Sequence, residues 1–276
     1  MSIKKNFRKI VCLTCILSMP IALAPPAIAD TPAPGAKTGR QVMELARQRI
    51  FYAGHDRVSS GHVTVRADNG AVRIRDYRML RLNGQGQQQH YFVYFTRPGD
   101  LVGTTFLVHK KPGTDDDRWL YLPKLDLVRR ISAGDKRTHF VGTDMFYEDV
   151  SGRHVEDDNH VLDSENEKYW IVRSKPTDTN SAEFAWYRSW IHKKTHLPIK
   201  VEYHDNRDKI YRRIVIKKVR KISGIPTPTK VVVHDLNTNS RTTGEHLHVE
   251  YGKGIPKHLF SERSLRNPPK KWLGNL

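Results

Sequence analysis

Apolar and polar residues alternate at a spacing of two along most of this chain, the period of strands with one buried face. Val63, Val65 and Ala67 alternate in the run from Gly61 to Ala67, and Val72 and Ile74 open the next, from Val72 to Leu82. Asn69-Gly70 between them is a hairpin signal, because both residues tolerate the positive φ of a tight turn. Asn83-Gly84 then leads into His90–Thr96, which Pro98-Gly99 closes. Further strands are predicted over Leu101–Lys110, Arg118–Leu122, Leu127–Ser132, Lys168–Ser174, Ala182–His192, Ile199–His204, Ile210–Ile222, Lys230–Asn237 and His246–Tyr251. Asp205-Asn206, Gly224, Pro226 and the Asn237–Asn239 stretch break them apart. Short strands joined by turns argue for a many-stranded antiparallel sheet, open or curled.

The helical period occurs near the start. Val42, Leu45, Ala46 and Ile50 recur three or four apart, and Thr38 with Gln41 has the spacing of a capping box. Gly54 is a suitable stop. Gly152–Glu167 is polar without a clear period, and a loop, a lid or a short helix all fit it.

The first residues follow a different rule. Lys4, Lys5, Arg8 and Lys9 precede an apolar run, Ile10–Ala24, and Ala27-Ile28-Ala29 offers small residues for cleavage. Residues 1–29 therefore read as a secretory signal peptide, and residues 30–276 as one exported domain. Both cysteines, Cys12 and Cys15, lie in that leader, so disulfides and thiolate chemistry are excluded after cleavage. No later stretch is long and apolar enough to span a bilayer. The formal net charge is +18, and only four of the cations belong to the leader. In the cytosol such a balance would suggest nucleic acid. Export removes that partner and points instead to an anionic membrane surface, or to solubility alone.

Candidate chemistry is sparse. Asp144, Glu148 and Asp149 with Arg129 and Arg130 read as a structural ion-pair and turn network rather than a carboxylate site, and Asp115-Asp116-Asp117 as a solvated turn. His192 and His196 sit four apart, but Lys193 stands where a zinc protease carries its glutamate. His246 and His248 share a strand face with no third ligand in view. No nucleophile elbow, P-loop or dinucleotide fingerprint is present, so no enzyme, metal or cofactor is predicted. In the basic run Lys209–Lys221, Arg212, Arg213, Lys217 and Lys218 are candidates for docking to an anionic membrane or a partner.

Several blocks resemble the outer membrane lipoprotein-sorting, or LolA-like, family. They are Arg97-Pro98-Gly99-Asp100, Gly103–Leu107, Trp119–Pro123, Arg129-Arg130-Ile131 and Gly142–Asp149, followed by Leu197–Tyr203, Pro226–Lys230 and Leu259-Phe260. The resemblance implies a mainly β fold: a strongly curved antiparallel sheet, an incomplete β-barrel, with an N-terminal helix and a helical or loop lid. It implies a periplasmic carrier that holds lipoprotein acyl chains or other lipids in an apolar cavity, working beside an inner-membrane exporter. The alternative is a non-catalytic adaptor of an envelope (RND/MMPL-type) lipid exporter. Phe92, Tyr94, Phe106, Val108, Leu120, Leu122, Trp170 and Trp186, apolar positions that alternate along strands, are the candidate cavity residues.

Overall fold

Thr38 starts the first element as its spacing predicts. Its hydroxyl accepts from the Gln41 N–H (3.2 Å), and the Gln41 side chain accepts from the Thr38 N–H (2.9 Å), closing a capping box. Helix α1 (Gly39–Phe51) buries Val42 and Ala46 against Val172 and Ile191 of the sheet. The computed structural model describes residues 37–179 and 182–274, so the signal peptide expected over residues 1–29 lies outside the described residues.

Thirteen strands follow: β1 (Asp56–Arg66), β2 (Val72–Asn83), β3 (Gln89–Arg97), β4 (Thr105–Lys110), β5 (Asp117–Leu122), β6 (Leu127–Arg130), β7 (Asp158–Glu165), β8 (Tyr169–Pro176), β9 (Trp186–His192), β10 (Pro198–His204), β11 (Ile210–Ile222), β12 (Ile225–Asp235) and β13 (Ser240–Tyr251). All pair antiparallel in one curved, unclosed sheet ordered β6-β5-β4-β3-β2-β1-β13-β12-β11-β10-β9-β8-β7. The chain meanders outward from β1 to β6, crosses to the far edge, and meanders back until β13 pairs with β1. The expected mainly β fold and curved antiparallel sheet are what is observed.

The crossing segment, Ile131–Asp157, carries a 3₁₀ turn at Phe140–Gly142, a short helix α2 (Tyr147–Ser151) and a second 3₁₀ turn at Val155–Asp157. Two expectations are corrected here. Only half of Gly152–Glu167 is loop and short helical turn, because Asp158–Glu165 is edge strand β7. It hides from the sequence because most of its side chains are polar and only one of its edges is paired. Asp116 is not a solvated turn residue: it is buried and engages Arg118 and His154.

Two apolar layers sandwich the β1–β5 half of the sheet. On one face Val63, Tyr77, Tyr91, Val93, Phe95, Phe106, Val108 and Leu120 pack with Phe140 and Tyr147 of the crossing segment. On the other, Leu80, Leu82, Phe92, Tyr94 and Leu107 are covered by the C-terminal tail through Ile255, Phe260, Leu265 and Leu273. The tail, with its short helices α3 (Arg263–Arg266) and α4 (Lys270–Leu273), is anchored at its start by Asp56. That carboxylate accepts from the N–H groups of Lys253 (2.8 Å), Gly254 (2.7 Å) and Ile255 (3.1 Å). Both faces of β3 are thereby covered, which explains its unbroken apolar run.

Candidate functional site

The inner face of the sheet does not fill completely. Between it, α1 and the crossing segment lies a cavity of about 330 Å³. That is the low end of the roughly 300–1,000 Å³ usual for small-molecule sites. α1 contributes Met43, Ala46, Ile50 and Phe51. β1 to β3 contribute Val63, Tyr77, Met79, Tyr91, Val93 and Phe95. The returning strands add Val201, Tyr203, Ile214, Ile216, Val231 and Val233, and the crossing segment closes over them with Phe140, Met145, Val150 and Val155. The alternation of each strand turns its apolar set inward, so the cavity is lined chiefly by hydrocarbon.

The cover is pinned by charge. Asp144 accepts from the hydroxyls of Ser240 (3.0 Å) and Thr242 (2.7 Å) on β13. Asp149 caps the Phe146 N–H (2.6 Å) and pairs with Arg212 of β11. Glu148 meets Arg137 (3.1 Å) and Arg153 (3.5 Å), and Arg153 in turn holds Asp158 (2.8 Å). Burial would raise the Glu148 carboxyl, but Arg137, Arg153 and Lys136 outweigh it and hold the group below its usual range. The acidic residues of this motif do form a structural network, but with these partners. Arg129 pairs instead with Asp135 (3.6 Å) and Arg130 with Asp117.

The hydrocarbon lining is interrupted by polar side chains, among them four arginines and several histidines and tyrosines. His246 shares a hydrogen bond with the Tyr77 hydroxyl (2.7 Å), and burial, with Arg57 adding to it, pulls its imidazole down to about 3. Among the described residues no three His, Asp or Glu side chains are placed to hold a metal ion. His192 faces Thr195 (3.0 Å) in a turn, and His248 is exposed beside Glu250 (3.4 Å).

None of the eight residues expected from the sequence lines this cavity. Phe92 and Tyr94 point to the opposite face, under the C-terminal tail. On β3 the lining residues are Tyr91, Val93 and Phe95, one position out of phase with the expected pair. Phe106, Val108 and Leu120 are on the cavity side of the sheet, but Phe140 and Tyr147 pack over Phe106 at ring distances of 5.1 and 5.3 Å. Leu122 packs against the edge of that cluster. Trp170 packs beside α1, and Trp186 stacks on His204 at 3.6 Å. Of the docking candidates, Arg212 is a correction: it is 3 % exposed, pairs with Asp149 and lies 4.1 Å over the Phe146 ring. Arg213 pairs with Glu202 (2.7 Å), while Lys217 and Lys218 are exposed.

A family model described as "uncharacterized protein" matches residues 87–267. No curated protein matches the sequence. Three solved structures share the architecture across 83 % of this chain. A DUF1329 family protein from Desulfovibrio piger is similar at 25 % identity and a TM-score of 0.76 over 100 % of its own length. A Vibrio parahaemolyticus domain named for outer membrane lipoprotein sorting is similar at 24 % identity and a TM-score of 0.74 over 98 % of its length. A LolA superfamily protein from Nitrosomonas europaea is similar at 17 % identity and a TM-score of 0.63 over 99 % of its length.

Proposed function

The chain belongs to the family described as "uncharacterized protein", with a LolA-like fold, and from that premise and its cavity we propose that it is a non-catalytic periplasmic carrier of acyl chains. The observation that carries the proposal is the hydrocarbon-lined space between α1, the pinned crossing segment and the inner face of the sheet. Each methylene moved from water into such a site is favoured by about 0.8 kcal/mol, so a chain of modest length binds without a specific polar contact. Release requires the cover to move. The cover is held by ion pairs and hydroxyl contacts and by Ile131, Phe140 and Tyr147 in the core cluster, and these are the contacts that release would have to break.

Delivery needs a surface that meets a membrane. Exposed Lys217, Lys218, Arg220 and Lys221 surround Val219, 39 % exposed, beside the turn that joins β11 to β12. We assign this strip, without Arg212, to contact with anionic headgroups, and an inner-membrane exporter to the supplying side. Transfer of a fluorescent phospholipid between vesicles tests both parts. The protein should accelerate transfer to phosphatidylglycerol-containing acceptors, with a rate that falls as salt rises past about 0.1 M. Lys217→Glu with Lys218→Glu should slow it severalfold. Absence of transfer, or transfer indifferent to salt and to these substitutions, would count against the carrier and the strip respectively.

A further inference from the structure

Four arginines line the cavity: Arg47, Arg57, Arg81 and Arg153. Two have carboxylate partners, Arg47 with Glu44 (2.8 Å) and Arg153 with Asp158 (2.8 Å). Arg57 and Arg81 have none among the described residues. They sit directly opposite each other across β1 and β2, so two like charges share one end of an apolar space. The acids that also line the cavity are engaged elsewhere, Glu148 by Arg137 and Arg153 and Asp149 by Arg212. Asp56, next to Arg57 in the chain, directs its carboxylate to the backbone N–H groups of Lys253, Gly254 and Ile255.

Helix capping accounts for part of this. Arg81, 1 % exposed, donates to the carbonyls of Phe51, Ala53 (2.6 Å) and Gly54 (2.7 Å) at the end of α1. Arg57 has no such duty. Among the described residues its guanidinium donates to the Met79 sulfur at 3.2 Å, a weak acceptor, and its Nε has no partner. The Nε of Arg81 is likewise unpartnered. Arg57 is only partly buried, so its cost lies in the one Nε withdrawn from water without a partner, and its planar fork of donors matches a carboxylate or a phosphate.

We propose that this end of the cavity is an anion subsite, and that the ligand is an amphiphile whose carboxylate or phosphate head is held by Arg57 beside Arg81 while its chain fills the apolar remainder. The inference rests on the carrier reading above and narrows it to a ligand class. The test is calorimetric titration of the delipidated protein at pH 8 with decanoate, decyl phosphate and decanol, three probes with one chain and different heads. One or both anions should bind about tenfold or more tighter than decanol, the scale of a charge-assisted hydrogen bond, and whichever binds tighter identifies the head. Arg57→Met, which gives up only the contact to Met79, should erase that preference, and Arg57→Lys should keep part of it. Equal binding of decanol and the anions, or a preference that survives Arg57→Met, would overturn the anion subsite and leave the carrier intact. Failure of all three probes to bind would remove the carrier and the subsite together.

Discussion

His90 shows how much a single side chain reports on its surroundings. It is buried on β3 between His109, 4.8 Å away, and Phe260 of the C-terminal tail, and neither ring nitrogen has a partner. Burial first, then the charges of His109 and Lys257, push its imidazole down to about 4. The unfolded chain takes up this proton as pH falls below the ordinary value near 6.5, while the folded chain resists until about pH 4. Stability attached to His90 is therefore present above pH 6.5 and lost as pH falls through that window, by about 1.4 kcal/mol per unit at most. In urea titrations at pH 7 and pH 5, His90→Phe should lose less stability between the two than the natural protein does. An identical loss in both would remove His90 as an acid-sensitive group. At this scale the sequence was only partly legible. Arg212 and Arg213 are indistinguishable as letters, yet one is buried against Asp149 and Phe146 and the other pairs with Glu202 at the rim. Asp116 looked like exposed Asp115 because its partner His154 is remote in sequence, and Asp117 opens β5 and pairs with Lys111 and Arg130.

Among elements, α1 was the most legible, since a capping box and a 3.6-residue period are both local signals. What the letters did not reveal is how closely it docks. A Cβ on Gly39 would lie 2.6 Å from the Val161 carbonyl carbon and 2.7 Å from the Leu162 nitrogen, both backbone atoms that cannot swing aside. Gly39→Ala should therefore push the first turn of α1 off β7 and cost more than Thr38→Ala, which removes the cap alone for about 1 kcal/mol. Thermal unfolding of the two variants orders them, and a Gly39→Ala protein as stable as the natural one would show that the helix is free to shift. The hairpin at Asn69-Gly70 was legible for the same local reason, with Gly70 at φ +82°. β7 was not, because a mostly polar edge strand has no period to read. Gly61 carries a constraint visible only across the sheet: at a register shift between β1 and β13, its Cβ would meet the Glu245 carbonyl oxygen at 1.9 Å.

At the scale of the whole molecule, strand number and turn chemistry were enough to anticipate a many-stranded antiparallel sheet, open or curled, and the resemblance to the LolA-like family added its strong curvature. The cavity was not legible, and β3 shows why. Tyr91 to Phe95 is apolar at every position, because Val93 faces the cavity while Phe92 and Tyr94 face the C-terminal tail. When both faces are covered, alternation no longer tells inside from outside, and a phase error of one residue puts Phe92 and Tyr94 under the tail while Phe106, Val108 and Leu120 stay on the cavity side. The tail that creates this ambiguity is joined to β1 through Asp56, far away in the chain.

The central claim is that the space between α1 and the inner face holds an acyl chain. Native mass spectrometry with solvent extraction, on the protein purified from a bacterial periplasm, tests it most directly when a plugged variant is run beside it. Val231 lines the cavity from β12, and Val231→Trp fills space there at an overpacking cost of about 1–3 kcal/mol, which a stable sheet tolerates. The natural protein should carry lipid or acylated peptide of defined mass, lose it on delipidation and regain it on mixing, while Val231→Trp, folded by circular dichroism, should carry little or none. A natural protein that emerges without ligand and takes up none, or a plugged variant that carries the same load, would contradict the account.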